Sequence, residues 1–248
     1  MNSQLLSGGK HYDLLINWEK RLSLEVPFLR KYINEVKPQI KTILEVGCAT
    51  GRHTRILQQK KGLQVTGIDI DESMVDEAKK RVPEAEFIVK DFLNLKNRKF
   101  DSIISLGNSV GLIAQSTNYH YIVEKFSQLI RSSNGLLIFH LLNTEIERDG
   151  WSSPRSINTP DGEFIFLRGF TTTSKYIHPE ILTLFKPNNE TRWEMQSTGR
   201  AKIPRISHQE MITLLNQFGF KEIRVFGSYQ KEKFDPDKSV DMIFVGYT

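Results

Sequence analysis

The chain has 248 residues, of which 39% are hydrophobic, enough to fill the core of one decorated α/β domain. No apolar run reaches the ~18 residues that a membrane-spanning helix needs, and Met1–Gln4 lacks an export pattern, so we expect a soluble, cytoplasmic protein without a membrane partner. The formal charge of +5 is spread along the chain, which disfavours a nucleic acid partner. The lone Cys48 excludes an intrachain disulfide and a cysteine-based zinc site, and we predict no metal.

The N-terminal segment is predicted to be helical. Apolar residues recur at helical spacing from residue 22 to about residue 37, and Pro38 ends that helix. Tyr12, Trp18 and Arg21 precede it. Two interpretations stay open for the aromatic residues: they anchor the segment to the core, or they contribute to a binding site.

The most informative stretch is an apolar strand at residues 43–46 that runs into a turn framed by Gly47 and Gly51 and then into a helix. Two glycines spaced in this way let the backbone approach a ligand closely, because neither has a Cβ. The amides at the start of the helix then face the ligand. Asp69 ends the second predicted strand, where an acid suits the two hydroxyls of a ribose.

A nicotinamide-binding site would share the strand, turn, helix and acid, but its fingerprint has a middle glycine that lets the backbone approach a pyrophosphate. The stretch from Gly47 to Gly51 lacks that glycine, which disfavours an oxidoreductase. The third predicted strand, at residues 86–90, leads into Asp91. Because one helix–strand unit separates Asp69 from Asp91, both acids are expected at the same edge of a parallel sheet, where open α/β sheets bind ligands.

With Glu45 ahead of the turn, the pattern E-x-G-x-x-x-G resembles the first motif of the class I S-adenosylmethionine-dependent methyltransferases. The stretch 106–109 resembles the fourth motif of the glycine N-methyltransferase-like enzymes of that class. The resemblance implies S-adenosyl-L-methionine as the cofactor, with the glycine turn beside its amino acid part, Asp91 on its adenine amino group and the N-terminal segment folded over it. The residues then expected at the cofactor are Tyr12, Trp18, Arg21, Glu45, Gly47, Cys48, Thr50, Gly51, Asp69, Ile70, Met74, Asp91, Phe92, Leu106 and Gly107.

Residues 100–106 are predicted as the fourth strand, followed by a glycine-containing loop at 107–112. The next helix carries apolar residues on one face and is expected to end at Asn134 and Gly135. A nearly unbroken apolar run at residues 136–143 predicts a strand that is buried on both faces of a parallel sheet. His140 within it is predicted to be a hydrogen-bonded core residue and not a catalytic one.

Residues 144–206 break the alternation of helices and strands. Strands at 163–170, 180–186 and 191–197 indicate a small antiparallel insert, expected above the carboxyl edge of the main sheet. Arginine binds carboxylate or phosphate through two hydrogen bonds, and we expect one or two of the insert's arginines to face a methyl acceptor while the others are solvated. The six arginines are Arg148, Arg155, Arg168, Arg192, Arg200 and Arg205. The residues predicted to bind the acceptor are Asn108, Trp151, Arg168 and Arg192.

The C-terminal part returns to the α/β pattern. A capping box at residues 207–210 starts a helix, and the loop between strands at 220–226 and 240–246 is too short for a crossover helix, so these strands must pair antiparallel. The chain is therefore predicted to have an α/β fold: a Rossmann-like, seven-stranded, mostly parallel sheet with a terminal antiparallel hairpin, plus a small antiparallel β insert. We interpret residues 1–248 as a single domain, with a helical lid at 1–38 and the insert at 144–206.

These patterns favour an S-adenosylmethionine-dependent methyltransferase that acts on nitrogen or oxygen of a small molecule with an acidic group. Transfer from an activated donor depends on orientation more than on a catalytic triad, and no general base is assigned. Two alternatives stay open: an RNA methyltransferase, and a non-catalytic protein that binds S-adenosylmethionine. The oligomeric state does not follow from the sequence.

Overall fold

The computed structural model describes residues 9–36 and 39–248. Pro38 and residues 1–8 of the predicted lid lie outside the described residues. The helices are α1 (Gly9–Leu15), α2 (Trp18–Glu35), α3 (Arg52–Gln58), α4 (Glu72–Arg81), α5 (Ser109–Ile113), α6 (Tyr119–Leu129) and α7 (His208–Gln217), with a 3-10 turn at Phe92–Asn94. The strands are β1 (Thr42–Val46), β2 (Gln64–Asp69), β3 (Glu86–Val89), β4 (Ser102–Ser105), β5 (Leu136–Leu142), β6 (Gly150–Trp151), β7 (Arg155–Thr159), β8 (Gly162–Thr172), β9 (Tyr176–Pro187), β10 (Glu194–Arg200), β11 (Ile203–Pro204), β12 (Lys221–Phe226) and β13 (Asp241–Tyr247). No described helix is long and apolar enough to cross a bilayer.

Seven strands form one sheet in the order β12-β13-β5-β4-β1-β2-β3. The strands β1 to β5 run parallel, while β13 pairs antiparallel with both β5 and β12. The predicted mostly parallel sheet with a terminal antiparallel hairpin is confirmed. The carboxyl ends of β1 to β5 meet at one edge, which is where ligands bind in open α/β sheets.

Helices cover both faces of this sheet because its central strands are apolar on both sides. In β5, Phe139 and Leu141 face the layer that contains α6 and α7, while Ile138 faces the layer that contains α2. All three are at most 1% exposed, and burial of each contributes about 1.5–3 kcal/mol. This packing holds the strand ends, and the side chains that follow them, in fixed positions.

A second, antiparallel sheet is built from the segment between β5 and α7. Its order is β10-β9-β8-β6, with β7 paired to β8 and β11 paired to β9. Two of the predicted strands lie within the longer β8 and β9, and the third is shifted to β10. The sequence did not indicate β6, β7 and β11, because they are short or largely polar. Phe164 and Phe166 of β8 pack against Leu15, so this sheet contacts the N-terminal segment.

Two elements differ from the sequence expectations. The loop predicted at residues 107–112 contains α5, which begins after Asn108 in the left-handed conformation, with φ of 67°. The helix α6 ends at Leu129 and not at Asn134, because Ile130 adopts an extended conformation and forms a bridge with Phe100.

Candidate active site

The turn between β1 and α3 has a backbone conformation that favours glycine. Gly47 and Gly51 each have φ of 72°, which is strained for any residue with a Cβ. A Cβ at Gly47 would also lie 2.6 Å from the Cβ of Ser109. Both glycines are therefore required where they stand, and the first allows the turn after β1 to approach the loop after β4.

Cys48 fills space inside this turn. It is 3% exposed, and a Cβ at Gly67 would lie 2.9 Å from its sulfur. Burial raises the pKa of the Cys48 thiol well above its usual range, so the group stays neutral. Cys48 contributes shape to the turn and not a nucleophile.

The two acids that follow β2 and β3 lie at the same sheet edge. Asp69 accepts hydrogen bonds from the amides of Ala49 and Asp71, at 2.9 and 3.1 Å. Burial raises the pKa of Asp69 against these hydrogen bonds, which lower it. Asp91 accepts a hydrogen bond from the amide of Leu93 at 2.9 Å. Each carboxylate has further lone pairs with which it could accept hydrogen bonds from a ribose or an adenine amino group.

The other residues predicted near these acids differ in exposure. Ile70 is 73% exposed at the edge, whereas Met74 and Leu106 are 7% and 5% exposed. The ring of Phe92 is buried and lies 5.4 Å from the ring of Phe126. Phe92 therefore supports the edge from the core, and only its backbone is available to a ligand.

One carboxylate connects α1 to the glycine turn. Asp13 accepts hydrogen bonds from Thr50 Oγ1 at 2.7 Å, from Arg52 Nη2 at 2.7 Å and from Arg81 Nη2 at 2.6 Å. Burial alone would raise the pKa of Asp13, but the hydrogen bonds from Arg52 and Thr50 hold it below its usual value. The ionised group thus joins α1 to the turn, to α3 and to α4. Sequence reasoning missed Asp13, because its partners are distant in the chain.

Aromatic and arginine side chains of the N-terminal segment gather over the same edge. The ring of Trp18 lies 6.0 Å from the ring of Tyr12 and 5.9 Å from the ring of His53. The Arg21 guanidinium lies 5.3 Å from the Trp18 ring, and a Cβ at Gly107 would come within 2.7 Å of Arg21 Nη2. Tyr12, Trp18 and Arg21, which the sequence placed together at the cofactor, are therefore brought together at the turns that follow β1 and β4.

Beneath these aromatic side chains, buried charged groups connect α2 to β1. Arg21 Nε donates to Glu25 Oε1 at 2.9 Å, and Glu25 Oε2 contacts His53 Nε2. His53 Nδ1 lies 3.6 Å from Glu45, whose carboxylate also accepts a hydrogen bond from Thr54. Glu25, His53 and Glu45 are 3%, 4% and 2% exposed. Glu45, predicted at the cofactor, has its carboxylate engaged beneath the turn and supports the site indirectly.

The charges in this buried group stabilise one another. Burial would lower the pKa of His53, but its hydrogen bonds to Glu25 and Glu45 raise it above the usual value. Burial would raise the pKa of Glu25, but its hydrogen bond to His53 and the charge of Arg21 lower it. Sequence reasoning missed Glu25 and His53. The one available signal was the spacing of Arg21 and Glu25, which places them one helical turn apart.

Two arginines lie on the face of the second sheet that is turned toward α1. Arg155 Nη1 and Arg168 Nη2 both donate to the carbonyl of Leu15, at 2.8 and 3.4 Å. Within residues 9–36 and 39–248, neither forms an ion pair with an acid. Burial, together with the positive charges of Arg155 and Arg21, lowers the pKa of Arg168, yet both side chains remain accessible to solvent. Among the described residues, the two cations therefore lack a compensating anion.

The other residues predicted to bind the acceptor are not gathered around Arg168. Asn108 is 8% exposed, and its Oδ1 accepts a hydrogen bond from a backbone amide of β5 at 3.0 Å. Trp151 pairs with Gly169, so it lies on the sheet face opposite Arg168. Arg192 is exposed beyond the end of β9. Asn108 thus shapes the end of β4, while Trp151 and Arg192 share no surface with Arg168.

The remaining polar side chains singled out in the sequence either bind other groups of the described chain or form no hydrogen bond there. Arg148 and Arg205 donate to backbone carbonyls, and Arg200 pairs with an acid of β9. His140 was predicted to be a hydrogen-bonded core residue. Its place in the core is confirmed, since it is 9% exposed, but the predicted hydrogen bonds are wrong, because neither ring nitrogen forms one in the part of the chain that the structure describes. The same part contains no cluster of His, Cys, Asp or Glu that could hold a metal ion.

Comparisons with known proteins agree on one class. Residues 43–132 match the methyltransferase-domain family. The chain is 23% identical to the dTDP-3-amino-3,4,6-trideoxy-alpha-D-glucopyranose N,N-dimethyltransferase of Streptomyces venezuelae, over 95% of each protein. It is also 23% identical to the glycine/sarcosine N-methyltransferase of Parasynechococcus marenigrum, over 91% of this chain and 78% of that one. The crystal structure of Streptomyces venezuelae DesVI has the same fold, with a TM-score of 0.78 and 18% identity over 95% of each chain.

Residues 43–132 thus form a methyltransferase domain, and the comparisons support a class I S-adenosylmethionine-dependent methyltransferase of small molecules. More particularly, its two relatives named above, which match it along most of its length, are both N-methyltransferases of small molecules. The observed edge fits the cofactor, S-adenosyl-L-methionine. Gly47 lets the turn after β1 pack against Ser109, and Gly107 lets Arg21 approach the end of β4. Asp69 and Asp91 present carboxylates at the same edge. The buried Trp18 Nε1 is a donor without a partner among the described residues.

Proposed function

We propose that the enzyme methylates an amino nitrogen of a small molecule that carries an acidic group, and that this molecule is a nucleotide-linked amino sugar. Both relatives described above are named as N-methyltransferases, one of them for a dTDP-linked amino sugar. When bound, the cofactor supplies a methyl group on an already activated, positively charged sulfur. The chain itself then has to orient the acceptor and exclude water, and orientation contributes about 7–11 kcal/mol to such a step.

The observation that carries this proposal is the pair Arg155 and Arg168. Both guanidinium groups reach the same carbonyl of Leu15, so they are close enough to bind one anion together. They lie near Tyr12 and Arg21, at the entrance to the site. Arginine binds phosphate through paired hydrogen bonds, and the diphosphate of a nucleotide-linked sugar offers several oxygens for both side chains.

The N-terminal segment excludes water in this proposal. Residues 9–36 act as the described part of a lid, and residues 144–206 act as an insert that binds the acceptor. The lid is supported by the bonds of Asp13 to Thr50, Arg52 and Arg81. The insert is supported by the contact of Phe164 with the N-terminal segment. Cofactor and acceptor would then be enclosed between the sheet edge, the lid and the insert.

The experiment that tests the function offers the purified enzyme several acceptors together with labelled S-adenosylmethionine. The panel contains a dTDP-linked amino sugar, the same sugar without its nucleotide, glycine and total RNA. We expect the label on the nucleotide-linked sugar, with the free sugar at least tenfold poorer in kcat/KM. Label on glycine or RNA with none on the sugars would contradict the proposal.

Replacing Arg168 with alanine is expected to raise the KM for the nucleotide-linked acceptor by roughly tenfold, because a charge-assisted hydrogen bond contributes about 1.5–3 kcal/mol. The dissociation constant of the cofactor should stay unchanged. Steady-state kinetics and calorimetry measure the two quantities. Arg192→Ala is the matched control, since Arg192 is exposed on the same insert without a partner in the described residues. Equal effects of the two substitutions would show that Arg168 does not bind the acceptor.

Replacing Asp13 with asparagine is expected to speed release of S-adenosylhomocysteine about tenfold, because the change removes the charge that three side chains bind. Stopped-flow tryptophan fluorescence measures the release rate. Since the pKa of Asp13 is lowered, the wild-type bonds are fully present above the ordinary value of ~3.9 and are lost only as the pH falls through the lowered pKa. Glu19→Gln, at an exposed position of α2, should leave the rate unchanged. If Asp13→Asn releases S-adenosylhomocysteine at the wild-type rate, the contacts of α1 do not control its release.

A further inference from the structure

His140 lies in β5 and takes part in none of the cofactor or acceptor contacts described above. It is 9% exposed, and neither ring nitrogen forms a hydrogen bond within the described chain. Asp241 Oδ1 lies 3.0 Å from His140 Nε2, at the distance of an ion pair, while Nδ1 has no polar group beside it among the hydrogen bonds of the described residues. A buried polar group without a partner is rare in a sheet, because its desolvation is uncompensated. This histidine therefore requires an explanation beyond packing.

The position of His140 is next to the reacting end of the sheet. The strands β4 and β5 pair in parallel, with Ser105 beside Phe139. The residues that follow, Leu106 and His140, therefore lie side by side at about 5 Å, with their side chains on the same face. Leu106 and Gly107 form the end of β4, where the cofactor residues gather. His140 is thus on the neighbouring strand, on the side where an acceptor would lie.

Other buried polar atoms lie at the same edge. The indole nitrogen of Trp18 is buried and has no hydrogen bond within the described residues, and the buried hydroxyl of Tyr229 lies beside the carboxylate of Glu25. The Tyr229 ring meets the His140 ring edge-on, with 5.8 Å between their centroids. Burial raises the pKa of Tyr229 well above its usual value, so the hydroxyl stays neutral and can donate. Such groups concentrated at one strand end indicate a place for a polar ligand.

We propose that His140 is the general base that takes a proton from the acceptor's amino group, and that Asp241 positions its ring. The inference rests on the proposed N-methylation, because an ammonium group has no lone pair until it loses a proton. With Nε2–H turned toward Asp241, Nδ1 carries the free lone pair. The N–H bond of the acceptor breaks, its proton binds Nδ1, and the electron pair stays on the acceptor nitrogen. That pair forms the new bond to the methyl group, while the sulfur keeps the electrons of the bond that breaks.

The surroundings of His140 supply a carboxylate beside the ring and give the proton a way out. The carboxylate of Asp241 faces the ring from β13, and Arg148 acts on Asp241 from the insert. Tyr229 lies on the loop that joins β12 to β13 and packs against the His140 ring. The charges of Glu25 and Arg21 of α2 act on the pKa of its hydroxyl. Rotation of the Tyr229 side chain would admit the acceptor. Asp241 also borders an open groove of about 450 Å³ lined by residues 227–228, 232–233, 235 and 238–241, through which the proton can reach solvent.

The test compares wild type with His140→Gln, Asp241→Asn and the control His120→Gln, whose histidine is exposed on α6. The acceptor is whichever amine the panel above identifies. General base catalysis contributes about 10²–10⁴-fold, so kcat of His140→Gln should fall at least a hundredfold and lose the acidic limb of its pH profile. Asp241→Asn should also lower kcat, because the ring is no longer held with Nδ1 toward the acceptor. His120→Gln should behave as wild type. Calorimetric binding of S-adenosylhomocysteine should be equal in all four proteins, which shows that they are folded.

A second measurement does not depend on turnover. Nitrogen-15 NMR of the ligand-free protein should show the neutral His140 ring with its hydrogen on Nε2 and a bare Nδ1 in wild type, and this tautomer should be less populated in Asp241→Asn. If an amine is methylated but His140→Gln keeps the acidic limb or more than a third of the wild-type kcat, His140 is not the base. A rate lowered equally at every pH would show a structural role and would also overturn the inference. If no amine is methylated at all, the proposed function fails first, and this inference fails with it.

Discussion

Replacing Glu25 with alanine is expected to lower the free energy of unfolding by about 3–5 kcal/mol, because removal of one partner leaves the buried charges of the others uncompensated. The partners are Arg21, at 2.9 Å, and His53. Urea denaturation followed by circular dichroism measures the loss. The matched control is Glu35→Ala in the same helix: its partner Lys31 is 3.7 Å away and both side chains are exposed, so it should cost at most about 1 kcal/mol. Equal losses in the two variants would contradict the account of the buried group.

The same group has a pH dependence with a defined sign. The pKa of His53 is raised by its partners, so its contribution to stability is complete below its ordinary value of ~6.5 and is lost as the pH rises through the raised pKa. We therefore expect the free energy of unfolding of the wild-type protein to fall as the pH rises from ~6.5 through the raised pKa of His53. His53→Gln keeps a polar group but cannot titrate, and should lack this slope. If the free energy of unfolding of His53→Gln falls with pH as steeply as that of wild type, another residue causes the pH dependence.

Replacing Asp69 with alanine is expected to weaken binding of S-adenosylmethionine and S-adenosylhomocysteine at least about a hundredfold. The carboxylate can accept two hydrogen bonds from a ribose, each worth about 1.5–3 kcal/mol, and it also holds the amide of Ala49 in the glycine turn. Titration calorimetry measures the affinities. Asp76→Ala, at an exposed position of α4, is the control and should bind normally. Unchanged binding by Asp69→Ala would show that Asp69 does not bind the cofactor. NAD should bind neither the wild type nor the variant.

The edge of the main sheet could be predicted because its chemistry is local in the sequence. Gly47 and Gly51 are required by the conformation of one turn, and Asp69 and Asp91 follow directly from the strands that precede them. The antiparallel pairing of the last two strands follows from the length of one loop. In each case a few consecutive residues determine the geometry, so a single sequence contains the necessary information.

The rest of the site depends on contacts between residues that are far apart in the chain. Asp13 meets Arg81, and Glu25 meets His53, only after the helices have packed. No local pattern shows which of the insert's arginines face α1, because β7, which carries Arg155, is too polar to be recognised as a strand. The wrong prediction of hydrogen bonds for His140 has the same origin, since an apolar strand correctly indicates burial but does not show which groups bond to a buried ring.

The central claim is that the enzyme transfers a methyl group from S-adenosylmethionine to the amino nitrogen of an anionic small molecule. The most direct measurement incubates the enzyme with a dTDP-linked amino sugar and S-adenosylmethionine that carries a ¹³C-labelled methyl group, and then locates the label in the product by NMR and mass spectrometry. We predict the label on the sugar nitrogen, with one or two methyl groups added for each sugar and an equal number of S-adenosylhomocysteine molecules formed. Label on oxygen, or no transfer by an enzyme that calorimetry shows to bind the cofactor, would contradict the claim.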